Sequence, residues 1–420
     1  MKNATRRQTL KSLAAIATIQ ILPSRLLGLN GQTPPSEELT RGIIGCGTIC
    51  KDHLKMPGRL LALCDVDKTH LEKRMKETGG EEKGITGYND FRELIARKDI
   101  DIVHVATPPH WHAIMAIEAM KAGKDVWCEK PMSRTIGEGD AMVKATAKYE
   151  KMMRLNTWFR FKDNFYGMGA PVSKVKKVVA NRLLGWPLKV TVSGVTGFDW
   201  KFGWVGKTNL EEKPVPPELD YDLWLGPAPF KPYHPHRVHN TFRGYWDYDG
   251  GGLGDMGQHY LDPVQYLLEK DDTAPISVEI DADPQDGDAI GTWRRITYTY
   301  ADGCQIILDG ENKDKDAAYI EGPLGKIFRG FKTDIPDLDK KLAELPDPAP
   351  QVTDFHQSIR TREKFALNEV NGFWSCTIVN MGIIAHRLNK SMKFDPKTLT
   401  FDDAEANKLI HQPMRGNWKL

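Results

Sequence analysis

The chain has 420 residues, of which 40% are hydrophobic and 27% charged, and its formal net charge is +2 at pH 7. That length suits two domains, each with a large core, and the near-neutral balance excludes a strong field for nucleic acid or acidic lipid. The six cysteines (Cys46, Cys50, Cys64, Cys128, Cys304 and Cys376) include no CxxC pair, which indicates neither a zinc site nor a disulfide framework.

Residues 1–38 read as an address and a linker rather than as fold. Thr5-Arg6-Arg7-Gln8-Thr9-Leu10-Lys11 resembles the twin-arginine export consensus, although Thr9 stands where a Phe is usual and no A-x-A cleavage site follows. Ser12 to Leu22 is mostly apolar and of h-region length, too short for a membrane span. The expectation is a periplasmic or exported protein, or a cytoplasmic one if the signal does not function. Residues 29–39 form a polar, proline-bearing link to the first strand.

The short β-branched run Gly42-Ile43-Ile44 enters Gly45-Cys46-Gly47-Thr48-Ile49-Cys50, a G-x-G-x-x-C loop. In a dinucleotide fingerprint the first glycine allows a tight turn and the second lets backbone N–H groups approach the pyrophosphate. The third only permits close helix–strand packing, for which a small cysteine is a partial substitute. A second strand, Leu60 to Cys64, ends in Asp65. A carboxylate there accepts ribose hydroxyls and repels a 2′-phosphate, favouring NAD over NADP, with Lys68 nearby to soften the preference. A third strand, Ile100 to Ala106, runs into Thr107-Pro108-Pro109, where prolines end it at the carboxyl edge of the sheet. A helical pattern covers His112 to Ala122 and stops at Gly123. Asp125-Val126-Trp127-Cys128 is a fourth strand, followed by Glu129-Lys130-Pro131. This alternation predicts a doubly wound parallel sheet over 39–156.

Gly45-Cys46-Gly47, Asp65, the stretch Thr107 to His112 and Glu129-Lys130-Pro131 resemble, in order and spacing, the glucose–fructose oxidoreductase and inositol dehydrogenase family (Gfo/Idh/MocA), in an exported bacterial branch. The resemblance implies an α/β protein. An N-terminal Rossmann domain would be joined to a C-terminal α+β domain with a large open mixed, mostly antiparallel sheet, in a homo-oligomer formed through that sheet. It implies hydride chemistry on sugars and cyclitols with NAD or, less expectedly, NADP. It assigns the cofactor to Gly45, Cys46, Gly47, Thr48, Ile49, Asp65, Thr107, Pro108, His112, Glu129 and Lys130. Lys130 would lie between nicotinamide and substrate, and the Lys130–Pro131 bond would be cis. Because twin-arginine export carries folded proteins, the cofactor is expected to be tightly held.

The second domain, 157–420, opens with period-two patterns. Lys189 to Ser193, Thr297 to Tyr300 and Gln305 to Leu308 read as antiparallel neighbours in a sheet with one covered face. The last residues return to helix, over Val352 to Arg362 and Gly372 to Leu388.

The chemistry concentrates between Arg243 and Asp262. If Asp255 opens a helix, His259 lies one turn later on the same face, and a carboxylate beside an imidazole orients it and raises its basicity. The run Gly250-Gly251-Gly252 removes side chains where a ligand must come close. The family's D-x-x-x-H pair, with the histidine as acid/base, falls on Asp255 and His259. Catalysis is therefore assigned to Lys130, Asp255 and His259: His259 takes the hydroxyl proton, Lys130 stabilises the developing negative charge on that oxygen and Asp255 positions the base. Pro263 forbids a straight helix through the region. Either the helix kinks at His259, or Asp262 caps a new helix beginning at Pro263.

For the substrate, Arg160, Arg243, Trp246 and His259 are the candidates, within a segment rich in aromatics (Phe198, Trp200, Phe202, Trp204, Trp224, Phe242, Tyr245) that suits a sugar or glycoside. His234, His236 and His239 have little carboxylate company, so no metal is expected. The reading is an NAD(P)-dependent oxidoreductase acting on a ring hydroxyl. One alternative is a redox-neutral NAD-dependent glycoside hydrolase or lyase, whose branch of the family lacks the lysine seen here in Glu129-Lys130-Pro131. Another is a non-catalytic NAD-binding partner protein, opposed by the intact Lys130, Asp255 and His259.

Overall fold

A computed structural model describes residues 38–157, 159–161, 170–192 and 204–420. The export-like segment lies outside the described residues, as do Phe198, Trp200 and Phe202. The fold is that of the compact unit Thr40–Leu420.

Its first half is a six-stranded sheet of β1 (Thr40–Ile44), β2 (Arg59–Cys64), β3 (Thr86–Tyr88), β4 (Ile102–Val105), β5 (Asp125–Glu129) and β6 (Met153–Asn156), in the order β3-β2-β1-β4-β5-β6. Every pairing is parallel. β1, β4 and β5 are buried at every position, as expected of parallel strands covered on both faces by crossover helices. Those helices are α1 (Cys50–Leu54), α2 (Lys68–Thr78), α3 (Phe91–Ala96), α4 (His112–Lys121) and α5 (Ile136–Lys148). α4 stops where predicted, with Gly123 at φ +85°. The strand order reverses between β1 and β4, and the glycine loop leaves β1 at that switch point.

The second half carries an eight-stranded sheet of β7 (Lys189–Val192), β8 (Ser277–Ala282), β9 (Trp293–Thr299), β10 (Gln305–Asp309), β11 (Ile320–Gly322), β12 (Gly325–Ile327), β13 (Met392–Asp395) and β14 (Thr400–Phe401), in the order β12-β11-β7-β10-β9-β8-β13-β14. β9 and β10 form the expected antiparallel hairpin, with Gly303 at φ +87° in its turn. β7, however, pairs with β10 in parallel, Lys189 opposite Gln305 and Val192 opposite Leu308. Period-two alternation reports a covered face but not strand direction, and the long connection between these two strands leaves either direction open. The sheet is thus mixed and mostly antiparallel.

The helices of this half are α6 (Val172–Ala180), α7 (Tyr221–Leu225), α8 (Gly251–Leu267), α9 (Leu338–Glu344), α10 (Phe355–Thr361), α11 (Glu369–Leu388) and α12 (Ala404–Lys408). α8 runs as one helix with Pro263 inside it, so Asp262 caps nothing. α11 packs on α8 and β8 of this domain and also on α5 and β6 of the parallel sheet. Its residues from Ser375 to His386 are buried without a break.

Candidate active site

The glycine loop is built as a fingerprint requires. Gly45 has φ +99°, and a Cβ there would lie 2.4 Å from Ala106 O, so only glycine fits. A Cβ on Gly47 would meet nothing within 4 Å, which leaves that face of the backbone open to a ligand. Cys50 is fully buried at the start of α1 and packs with Ile43, Cys46, Leu63, Leu71, Ile85 and Ala106. It takes the packing role of the missing third glycine.

Asp65 ties the loop to β2. Its Oδ2 accepts from Cys46 N at 2.7 Å and its Oδ1 from Asp67 N at 2.8 Å. Burial pushes its pKa up and those two backbone N–H groups oppose the rise. Arg74 is a residue that sequence reasoning misses. It is buried and donates from Nε to Cys46 O at 3.1 Å and from Nη2 to Gly47 O at 2.7 Å, clamping the loop from the other side. Nothing in a lone basic residue on a helix announces such a role.

The groove has a volume of about 260 Å³ and is lined by residues 44–49, Asp65, Thr107 and Pro108 on one wall. The second domain supplies Trp224, His239, Asn240, Phe242 and Arg243 to the other wall. These residues fit a dinucleotide: a side-chain-free loop face, a carboxylate at the end of β2 and flat apolar walls. His239 Nε2 is 3.3 Å from Asp67 Oδ2, and donor atoms of Asp67, His70 and His239 all lie within 4.8 Å of one another. His239 therefore has the carboxylate neighbour its sequence context hid. His234 and His236 turn elsewhere, His236 Nδ1 lying 2.7 Å from Tyr245 Oη.

Three residues assigned to the cofactor, His112, Glu129 and Lys130, are not among those that line the groove. His112 is fully buried, with Nδ1 2.8 Å from Pro131 O and Nε2 2.8 Å from Thr107 O. It joins the Thr107 turn to the Lys130 turn and does not line the groove. Glu129 accepts from His53 Nε2 at 2.9 Å and from Asn156 Nδ2, and its Oε2 receives Lys130 N at 3.2 Å. Burial alone would raise its pKa, but these partners bring it down to about 2. His53 Nδ1 in turn lies 2.9 Å from His104 Nδ1, so a buried polar chain braces the Lys130 turn. The Lys130–Pro131 bond is cis.

Lys130 reaches across to α8. Its Nζ donates to Asp255 O at 2.6 Å and to Asp255 Oδ1 at 2.9 Å, and Arg243 Nε lies 2.7 Å from the same Oδ1. Burial raises the Asp255 pKa, yet the two cations outweigh it and hold the carboxyl well below the usual range. Asp255 and His259 share one helix as predicted, but the carboxylate is turned to Lys130 and Arg243 rather than to the imidazole. His259 is instead set by Thr157, whose Oγ1 is 2.8 Å from Nδ1, and by Phe159, stacked at 4.5 Å.

Two substrate candidates are core residues. Arg160 is fully buried and pairs with Asp262 (Nη2–Oδ1 2.7 Å) and Asp271 (Nη2–Oδ1 2.8 Å). Trp246 has no exposure, and its Nε1 donates to Asp286 O at 3.0 Å. Trp224 and Phe242 line the cofactor groove, while Tyr245 is core. Arg243 remains in the site, its guanidinium 4.7 Å from the Trp204 ring.

A parallel sheet in the 3-2-1-4-5-6 order, a glycine loop at its switch point and a lysine facing an acid–histidine helix from a second domain define a dinucleotide-binding, two-domain protein. The chain belongs to the Gfo/Idh/MocA oxidoreductase family: residues 39–157 match the family's NAD-binding Rossmann fold and residues 168–420 its C-terminal alpha/beta domain. It is 34% identical over 185 residues to the myo-inositol 2-dehydrogenase of Thermotoga maritima, covering 43% of this chain and 47% of that protein. It is 38% identical over 115 residues to glycosyl hydrolase family 109 protein 2 of Shewanella sp. (strain ANA-3), covering 25% of each. The chain thus spans about half the length, or less, of the curated relatives it matches. Among solved structures it is similar in fold to the WlbA dehydrogenase of Bordetella pertussis in complex with NADH and UDP-GlcNAcA. The TM-score is 0.58 at 17% identity, over 85% of this chain and 99% of that one.

Proposed function

We propose that this protein transfers hydride between NAD and a ring hydroxyl of a sugar or glycoside. The observation that carries the reading is the meeting of Lys130, from the carboxyl end of β5, with the Asp255–His259 helix of the second domain. NAD, when bound, supplies the hydride acceptor. The chain supplies the proton chemistry. Thr157 holds Nδ1 of His259, and the imidazole takes the hydroxyl proton. Lys130 donates a hydrogen bond to the same oxygen as negative charge develops there. Asp255, kept ionised between Lys130 and Arg243, fixes the direction of both cations. It acts on the lysine side of the reaction rather than as the orienter of His259. Arg243 is the one assigned substrate arginine still facing the site.

The glycosyl hydrolase family 109 relatives favour a second reading, in which the hydride returns to the same molecule after glycoside cleavage. A panel of sugars and glycosides, followed both by absorbance of reduced cofactor and by aglycone release, separates the two. Reduced cofactor without aglycone supports net dehydrogenation, aglycone without net reduction supports cleavage, and neither signal with any compound refutes catalysis. His259→Ala should lose about 10²–10⁴-fold in turnover and still bind NAD; unaltered turnover excludes its role. Export through residues 1–38, a tightly retained NAD and assembly of copies through the eight-stranded sheet are parts of the same proposal. Cell fractionation, cofactor content after purification and light scattering test them.

A further inference from the structure

The loop that leaves the Lys130 turn carries a feature with no part in hydride or proton transfer. Arg134 is 7% exposed, and its guanidinium has no ion pair or hydrogen bond with any described residue, its Nε being buried without an acceptor. The acid whose charge acts most on it, Glu138, is committed to the main chain, where its Oε2 receives Arg134 N at 2.9 Å and Thr135 N at 3.2 Å. Arg387, on α11, faces the same space and is likewise without an ion pair among the described residues. Burial, and next the charge of Arg387, make Arg134 a weaker base than usual.

The two arginines line a cavity of about 230 Å³ together with Asn380, Lys408 and Asp247. The charge of Asp247 favours both arginines, but it makes no ion pair with either; the cation within ion-pair reach of its carboxylate is Lys231, at 3.8 Å. Two other buried arginines of this chain are provided for: Arg160 has two carboxylates and Arg41 donates to three carbonyls. A buried charge without a partner is costly, and two guanidiniums turned to one cavity make that cost mutual. Forked N–H donors from two sides are the arrangement that binds an oxyanion through paired hydrogen bonds. The volume exceeds the ~30 Å³ share of one water several times over. What the arginines offer there is a fit to a small oxyanion.

We propose that this cavity is a binding site for a small oxyanion, held between Arg134 and Arg387 and separate from the dinucleotide groove. The test uses the full chain with NAD saturating, so that the glycine loop is already filled, and inorganic phosphate as the probe. Chloride balances the ionic strength. Thermal unfolding should rise saturably with phosphate in the native protein, and the rise should vanish in Arg387→Gln. Without phosphate, Arg387→Gln should unfold no lower than the native protein, because a repelling charge has gone. Acetate in place of phosphate tells a carboxylate ligand from a tetrahedral one; a saturable, Arg387-dependent response to either supports the site. Should Arg134→Gln fail to fold, Arg134→Lys keeps the charge, loses the fork and should bind phosphate several-fold more weakly by titration calorimetry. An absent or unsaturable response in the native protein, or an equal response in Arg387→Gln, overturns the proposal.

Discussion

Lys130 Nζ lies 2.9 Å from Asp255 Oδ1 and 2.6 Å from the Asp255 carbonyl oxygen, so one side chain of the parallel-sheet domain grips both the carboxylate and the backbone of a single residue on α8. The pair is nearly dry, its side chains 11% and 10% exposed. Groups that act as a unit lose activity together rather than independently. Lys130→Met and Asp255→Asn should each lower kcat/KM by about 10²–10³-fold. The double variant should fall no more than about tenfold below the worse single one. Losses that multiply would show that the two side chains act separately.

The glycine loop makes opposite demands at its two ends. Gly45→Ala places a methyl against Ala106 O at a backbone angle that side chains avoid, and should abolish NAD binding in titration calorimetry. Cys50→Gly restores the usual fingerprint but removes a fully buried side chain. It should leave NAD affinity unchanged while costing about 1–3 kcal/mol of stability in urea unfolding.

Asp249 gives the fold a pH dependence with a defined sign. Burial first, and then the charge of Asp255, raise its pKa from 3.8 to about 7, against the pull of Arg243 and of Gly250 N–H. In the unfolded chain the proton leaves near the ordinary value; in the folded protein it stays until about neutrality. The native state therefore binds more protons inside that window, and stability falls as pH rises through it, levelling off above. Each unit is worth at most about 1.4 kcal/mol. Asp249→Asn should match the native protein only at or below about pH 4, begin to exceed it by about pH 5 and unfold at a clearly higher temperature at about pH 8. The difference between the two profiles isolates this residue from Glu138 and Asp262, whose pKa values are also raised.

Arg160→Met leaves Asp262 buried without its cation, and removing one member of a buried ion pair costs about 3–5 kcal/mol. KM for the substrate should stay within about twofold, since the guanidinium reaches no solvent-facing surface. A raised KM with normal stability would restore Arg160 to the substrate site.

Much of this arrangement is legible in the sequence because it is local. The four strands expected for the parallel sheet, the glycine loop with Asp65, the Lys130 turn and the Asp255–His259 spacing all lie within short stretches whose patterns are set by burial and turn chemistry. What stays hidden depends on partners far along the chain. Arg160 looks like a free cation until Asp262 and Asp271, 102 and 111 positions away, come to meet it. Trp246 sits just before α8 in sequence yet points into the core, where Asp286 O receives its N–H. The spacing pairs Asp255 with its helical neighbour because that neighbour is visible in one dimension, whereas Lys130 reaches it from 125 positions away. The direction of β7 and the contribution of His239 to the cofactor groove are closed to a one-dimensional reading for the same reason.

α11 touches both sheets' domains and is buried without a break from Ser375 to His386. Swinging the two domains apart would strip it from one of them and wet an apolar surface several turns long, a penalty no loosely held ligand repays. The pair therefore behaves as one block, bolted rather than hinged. On this domain's side the groove is walled by Trp224 and the short His239–Gly244 segment. Any widening of that wall falls to a few residues of loop and not to the motion of a domain.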